Sequence, residues 1–134
     1  MKMSDFNLIP LVKNFYTISR QSKDSDGYVF DIELDEKCPV YQGHFPTEPI
    51  APGVCNIQMI KECAEYAIQQ KLQLKVLQRC RFLKLITPQN NRNITVKMTI
   101  NTSDEKYMIA AQIVDGEKTY LDLKGDFVAF QTIG

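Results

Sequence analysis

The sequence predicts an α+β fold in which about six antiparallel strands form a sheet over one long central helix. Several stretches alternate apolar and polar residues, which is the pattern of half-buried strands. Only one segment keeps helical spacing over many residues, and short turns link most of the strand candidates. With 134 residues, the chain is long enough for one domain, residues 1–134, and too short for two.

The strands are predicted from alternation and from the turn residues between them. Residues 93–101 are a clear example, because Ile94, Val96 and Met98 share one face while threonine and lysine occupy the other. Asp115-Gly116 predicts a type I′ hairpin between the last two strands. In chain order the expected strands are 14–20, 28–35, 78–86, 93–101, 107–114 and 118–130.

The helix is predicted to run from Pro52 to about Lys71. Proline is favourable at the first helical position, where its missing N–H would have no partner in any case. Apolar residues recur at helical spacing along the segment, whereas a second set of side chains marks a polar stripe. That stripe consists of Gln58, Lys61, Glu62, Glu65 and Gln69.

Composition argues against several classes of partner. Lys and Arg together number 16 and so do Asp and Glu, so neither nucleic acid nor an anionic membrane is expected as the main partner. The sequence has no apolar run of about 18 residues and no signal-peptide pattern near its start. Its four cysteines have no metal-binding spacing. We therefore expect a cytoplasmic protein without a metal or organic cofactor.

The only histidine of the chain, His44, lies between two glycines in a segment stiffened by Pro46, Pro49 and Pro52. An imidazole titrates near neutral pH and can exchange protons with a substrate. A rigid arm that holds such a group against the start of a helix is a candidate site.

Residues 43–54 resemble the histidine motif of the bacterial 3-hydroxyacyl-ACP dehydratases of the FabZ/FabA type, which reads approximately G-H-F-P-x-x-P-x-x-P-G-V. The residues that match are Gly43, His44, Phe45, Pro46, Pro49, Pro52, Gly53 and Val54. A weaker resemblance follows at Arg81-Phe82-Leu83-Lys84. The resemblance implies a hotdog fold, a homodimer with an acyl tunnel at its interface, and an acyl carrier protein or CoA thioester as substrate.

The resemblance also implies roles for individual residues. His44 would remove the C2 proton, and the Gly53 N–H at the helix start would stabilise the charge on the thioester oxygen. Phe45, Pro52 and Val54 are the candidate substrate-binding residues. No acidic residue in the first helical turn neutralises the positive end of the helix. Gly53 is equally compatible with a plain helix entry.

Position 58 departs from the family pattern. The family has a carboxylate fourteen residues after the histidine, and this chain has Gln58 there. An amide cannot deliver a proton at neutral pH. Glu62 stands one turn further on, where family members often have glutamine, so the amide and the acid are exchanged. Glu62 is either a relocated acid or one more member of a solvated stripe.

Three functions remain open from the sequence. The first is a dehydratase that converts a 3-hydroxyacyl thioester into the trans-2-enoyl thioester, with Gln58 or Glu62 in the place of the acid. The second is an acyl-binding or structural subunit, which the loss of the acid at Gln58 favours. The third is a thioesterase, in which Glu62 or Glu65 would activate water.

Overall fold

The computed structural model describes residues 15–25, 27–37, 53–88 and 90–130. Within these residues the chain forms six strands and one helix. In order they are β1 (Tyr16–Asp24), β2 (Gly27–Leu34), α1 (Gly53–Ile68), β3 (Leu72–Phe82), β4 (Asn93–Ser103), β5 (Lys106–Asp115) and β6 (Lys118–Ala129).

The strands form a single antiparallel sheet in the order β1-β2-β4-β5-β6-β3. The predicted sheet of about six strands is therefore confirmed. Strand β3 follows α1 in the chain and lies at the edge of the sheet opposite β1. Two strands that are close in sequence, β2 and β3, are therefore near opposite edges of the sheet.

The core lies between the sheet and α1. Buried apolar side chains from all six strands and from α1, together with Phe15 and Ile86 outside these elements, form one cluster. The largest of them are Tyr16, Phe15, Phe30, Phe127, Ile32, Met59, Ile60, Leu72, Ile86, Ile109 and Ile113. Their burial supplies the main favourable term in folding, at about 25 cal/mol per Å² of apolar surface removed from water.

Helix α1 is shorter than the sequence predicts. It has 16 residues and ends at Ile68, because Gln69 takes a left-handed conformation with φ of 57°. The Gln70 N–H then donates to the Glu65 carbonyl at 3.3 Å, which closes a Schellman motif. A glycine usually occupies the left-handed position, so Gln69 carries no sequence signal for this stop.

Strand β3 begins earlier than the predicted 78–86 for the same reason. The reversal after α1 is tight, and the Glu65 carboxylate accepts a hydrogen bond of 2.7 Å from the Leu72 N–H at the start of the strand. Leu72, Leu74 and Val76 alternate with polar residues, so a period of two was present in the sequence. The strand ends at Phe82, well before Pro88.

The last hairpin forms where it is predicted, between β5 and β6, but its turn is not the predicted type I′ turn. Asp115 pairs with Lys118, so the loop is Gly116-Glu117, in which only Gly116 has a positive φ, 62°. That is the type II′ arrangement, because the glycine occupies the first central position. The type I′ pattern occurs instead between β4 and β5, where Asp104 and Glu105 have φ values of 51° and 65°.

The edge strand β3 is tied to β6 by charge. Asp122 accepts from Arg79 Nε at 3.0 Å and from Arg81 Nη2 at 2.9 Å. Burial alone would raise the pKa of Asp122, but the hydrogen bonds from Arg81 and Arg79 outweigh it and lower the pKa below its ordinary value.

The described helix is too short and too polar to span a membrane.

Replacing Glu105 by glycine should stabilise the protein by about 0.5–1 kcal/mol, because glycine adopts a left-handed φ without a steric penalty. The measurement is the free energy of unfolding in urea. The matched control is Glu117→Gly in the neighbouring hairpin, where φ is not positive and no gain is expected. An equal gain in both variants would mean that the backbone at Glu105 is not strained.

Asp122→Asn should destabilise the protein by about 1 kcal/mol at pH 7, since both arginine partners are largely exposed and screened. The lowered pKa of Asp122 means that its contribution is present above pH 3.8, the ordinary value, and is lost as the pH falls through the folded-state pKa. Urea unfolding at pH 7 and pH 3 should therefore show a difference that shrinks in acid. Asp126→Asn, whose partner is the neutral Gln78, is the control.

Candidate functional site

The polar stripe of α1 is buried where the sequence analysis placed it in solvent. Gln58, Lys61 and Glu62 expose only 9%, 7% and 5% of their surfaces. Every residue from 58 to 64, about two helical turns, is buried, so this part of the helix is covered on all sides. The expectation of a solvated stripe is thus wrong for these three residues. It is right for Gln69, which is exposed, and Glu65 is half-buried.

A hydrogen-bonded network joins this stripe to the start of β1. The Tyr16 hydroxyl donates to Glu62 Oε1 at 2.8 Å, and Gln58 Nε2 donates to Glu62 Oε2 at 3.1 Å. Tyr16 has no exposed surface. Each oxygen of the Glu62 carboxylate therefore accepts a hydrogen bond from a buried neutral donor, which offsets part of the cost of burying the charge.

Tyr16 acts in this network as a donor. Burial is the largest cause that raises its pKa, and the neighbouring Cys63 and Glu62, which also accepts the Tyr16 hydrogen bond, raise it further. The phenol keeps its proton across the physiological range. The protonated hydroxyl therefore donates the hydrogen bond to Glu62.

Gly53 opens α1, and no acidic residue follows it in the first turn. The ring of Phe82, at the end of β3, lies over it, since a Cβ built on Gly53 would stand 3.0 Å from Cζ and 3.1 Å from Cε1 of that ring. Glycine therefore lets the half-exposed Phe82 approach the helix start closely. The Gly53 N–H belongs to the first helical turn, whose N–H groups have no partner within the helix.

Two further titratable groups lie beside the network. Burial lowers the pKa of Lys61, although the carboxylates of Glu65 and Glu62 oppose that shift. Burial also raises the pKa of the Cys63 thiol, which keeps it uncharged at neutral pH. Within the described ranges, no three His, Cys, Asp or Glu side chains are grouped so that they could hold a metal ion.

Of the predicted site residues, the structure brings Gln58 and Glu62 into direct contact. Gly53 and Val54 form the first turn of the same helix. His44, Phe45 and Pro52 lie outside the described residues.

Tyr16 is a member of the site that was not predicted from the sequence, and its hydroxyl reaches Glu62 across 46 positions of the chain. A contact between residues so far apart has no local signature. Lys61 was counted as a surface residue because a lysine is rarely buried. The sequence feature that could have indicated an enclosed face is the amide of Gln58 one helical turn before the carboxyl group of Glu62.

The architecture matches solved structures that share little sequence. The dehydratase heterocomplex ApeI:P from Xenorhabdus doucetiae superposes with a TM-score of 0.67 at 15% identity, over 83% of this chain and 96% of that one. A protein from Bacillus halodurans, determined with CoA, superposes with a TM-score of 0.59 at 10% identity, over 84% of this chain and 74% of that one. At these identities the likeness shows the hotdog fold.

The 3-hydroxyacyl-[acyl-carrier-protein] dehydratase FabZ of Caldanaerobacter subterraneus is 33% identical over 57 residues. FabZ of Thermoanaerobacter pseudethanolicus is similar to the same extent. The match covers 37% of this chain and only 40% of each relative's length. Residues 19–120, which are well over half of the chain, match the ApeI-like family described as ApeI dehydratase. Together with the hotdog architecture, this match shows that the chain belongs to the ApeI-like dehydratase family.

Proposed function

We propose that this chain binds 3-hydroxyacyl thioesters and eliminates water from them to give trans-2-enoyl thioesters, as part of fatty acid or lipid synthesis. The observation that carries the proposal is the buried contact between Gln58 and Glu62. It occurs on the helix, at the position fourteen residues after His44 where the FabZ-type pattern has its acid. A buried carboxylate beside an amide is costly for stability, and such groups are typical of functional sites.

The proposed reaction needs three groups. His44 takes the proton from C2, and the Gly53 N–H holds the negative charge that builds up on the thioester oxygen. As the C2–H electrons form the C2=C3 double bond, the C3–O bond breaks and the hydroxyl leaves. That hydroxyl must gain a proton to depart as water. The acid that would supply this proton in the FabZ-type pattern is replaced by Gln58 in this chain.

Neither residue at the place of the acid offers a proton in the described geometry. The Gln58 amide is not an acid at neutral pH. Both oxygens of Glu62 accept hydrogen bonds, from Tyr16 and Gln58, so the carboxylate serves as an acceptor in this network. We therefore propose that the chain turns over slowly by itself, with a water molecule completing the proton transfer.

A second candidate function follows from the same observation. A chain that holds the substrate but lacks an efficient acid suits an acyl-binding subunit beside an active paralogue. The ApeI:P structure from Xenorhabdus doucetiae is a dehydratase heterocomplex, so a hotdog protein of this kind does assemble with a different chain. In either function we propose acyl carrier protein or CoA as the carrier and a cytoplasmic location.

We propose that β3 is the edge through which two hotdog chains pair, in a homodimer or with a paralogue. It is an edge strand of 11 residues, and among the residues that the structure describes no strand pairs with its outer side. Val76 and Leu77 on it expose 47% and 42% of their surfaces, and Phe82 exposes 53%. Apolar side chains on an open edge strand favour pairing with a second sheet.

The proposed activity is tested by incubating the purified chain with a panel of 3-hydroxyacyl-ACP substrates while enoyl product and free thiol are both followed. Gln58→Glu should raise enoyl formation at least about tenfold, because general acid catalysis contributes about 10²–10⁴-fold. Two carboxylates in contact cannot both be ionised, so Glu62 and the new glutamate would share one proton.

Two controls accompany that assay. His44→Ala should abolish enoyl formation, and Gln21→Glu makes the same chemical change at an exposed position on β1, where no gain is expected. Free thiol without enoyl product would contradict dehydration and indicate a thioesterase. No product from any variant would favour the acyl-binding subunit.

Leu77→Lys should shift the assembly toward monomer by placing a charge in the β3 edge, with about a tenfold or greater rise in the dissociation constant. Light scattering after gel filtration over a range of concentrations measures this shift. Lys97→Leu, on the central strand β4, is a control that leaves the edge unchanged. A wild-type chain that is monomeric at all concentrations would argue against homodimers. If the Leu77→Lys variant formed the same dimer as the wild-type chain, β3 would be excluded as the interface.

A further inference from the structure

A row of polar side chains crosses the outer face of the sheet, which is the face that points away from α1. Lys97 on β4 pairs with Gln112 on β5, and Gln112 pairs with Asp122 on β6. Val96 and Met98, the chain neighbours of Lys97, belong to the core, so alternation places Lys97 on the outer face. Residues paired in this way share a face and lie about 5 Å apart, so the three side chains are direct neighbours.

A cavity of about 440 Å³, open to solvent, lies on the outer face beside this row, and all three residues of the row line it. Its floor is low because small residues occupy it. Ala110 pairs there with Thr99, and Gly27 lies next to Thr99 with a φ of 148°. A Cβ on Gly27 would collide with the Met98 carbonyl oxygen, so no larger residue fits. The cavity is of the size that small ligands occupy in proteins.

One end of the cavity carries a net positive charge. Arg79 and Arg81 share the single carboxylate of Asp122, at 3.0 Å and 2.9 Å, so the three residues together keep a charge of one proton. Arg79 contacts that carboxylate through Nε and Nη2. A guanidinium has five N–H groups, so Arg79 keeps further donors for a ligand in the cavity.

The other groups that line the cavity also leave donors rather than acceptors available. The Asp24 carboxylate accepts from the Gly27 N–H at 2.9 Å within its own turn. Within the described ranges, the Lys97 ammonium and the Gln112 amide make no side-chain hydrogen bond or ion pair. Lys97 and Arg79 therefore face the cavity from two sides as cations, with the amide of Gln112 between them.

We propose that this cavity binds a small oxyanion, the phosphate or carboxylate group of a low-molecular-weight ligand, through Lys97, Gln112 and Arg79. An ammonium and a guanidinium make charge-assisted hydrogen bonds to such a group, and the amide nitrogen adds a neutral donor. The site lies on the opposite side of the sheet from the Gln58–Glu62 contact on α1, so the inference goes beyond the proposed function and does not depend on it.

The experiment titrates the full, isotopically labelled chain with inorganic phosphate and, separately, with acetate, at constant ionic strength. The backbone amide signals of Lys97, Ala110 and Gln112 should shift and saturate with at least one of the two anions, and chloride should leave them in place. A tighter fit for phosphate would identify a phosphate ester as the ligand class, and a tighter fit for acetate would identify a carboxylate.

Three variants at the cavity test its charges. Lys97→Met should weaken binding at least about tenfold, because it removes one charge-assisted hydrogen bond. Gln112→Glu should abolish binding, since its carboxylate would take the place of the anion between the two cations. Asp122→Asn should instead strengthen binding by about threefold, because Arg79 then loses the carboxylate that competes with the ligand.

Matched controls make the same changes at exposed positions outside the cavity. Lys106→Met on β5 and Gln21→Glu on β1 should keep the wild-type affinity. Damage to the fold can only reduce affinity, so the gain in Asp122→Asn separates an effect of charge from one of stability. Equal shifts with chloride would overturn the inference, and so would an unchanged affinity in Lys97→Met and Gln112→Glu.

Discussion

The buried carboxylate of Glu62 constrains the centre of this protein more than any other group. Removing a carboxylate from water costs several kcal/mol, and only well-placed donors offset that cost. Tyr16 and Gln58 provide them, at 2.8 Å and 3.1 Å. The first residue of β1 must therefore stand against the middle of α1, which helps to set the position of this edge of the sheet relative to the helix.

The same constraint fixes the hydrogen bond that the Gln58 amide makes. The pattern that the chain resembles has an acid at position 58 and often an amide at position 62. Here Tyr16 and Gln58 both donate to Glu62, so their hydrogen bonds converge on the carboxylate. The exchange of the two residues, one helical turn apart, therefore places the buried charge at position 62 and a neutral amide at position 58.

The opposite edge of the sheet, strand β3, combines a charged cluster with exposed apolar side chains. Strand β3 carries the Arg79–Asp122–Arg81 cluster on β6's side and exposes apolar side chains along its length. Its last residue, Phe82, contacts the start of α1 at Gly53. A partner that paired with β3 would thus lie beside the helix terminus at which thioester chemistry is proposed, which links assembly to the site.

Much of the sheet could be predicted from local patterns. Alternation located β2, β4, β5 and β6, because each has one face in the core and a period of two. Local patterns failed where the conformation is unusual for the residue. Gln69 ends α1 in a left-handed conformation, and Asp104 and Glu105 form a turn that normally contains glycine. Each of these conformations lies in a tight reversal between two elements, α1 to β3 for Gln69 and β4 to β5 for Asp104 and Glu105, and none of the three residues is the glycine that would have marked it.

The sequence by itself determined the strand pattern, the single helix and the residues that resemble a dehydratase motif, since all of these depend on neighbours in the chain. Only the tertiary structure decided that the polar side of α1 is enclosed. An amphipathic helix is assumed to turn its polar side to water, and that assumption fails when residues 58–64 are buried all round. The role of Tyr16 was hidden for the same physical reason, because its partner Glu62 is 46 residues away and only folding brings them together.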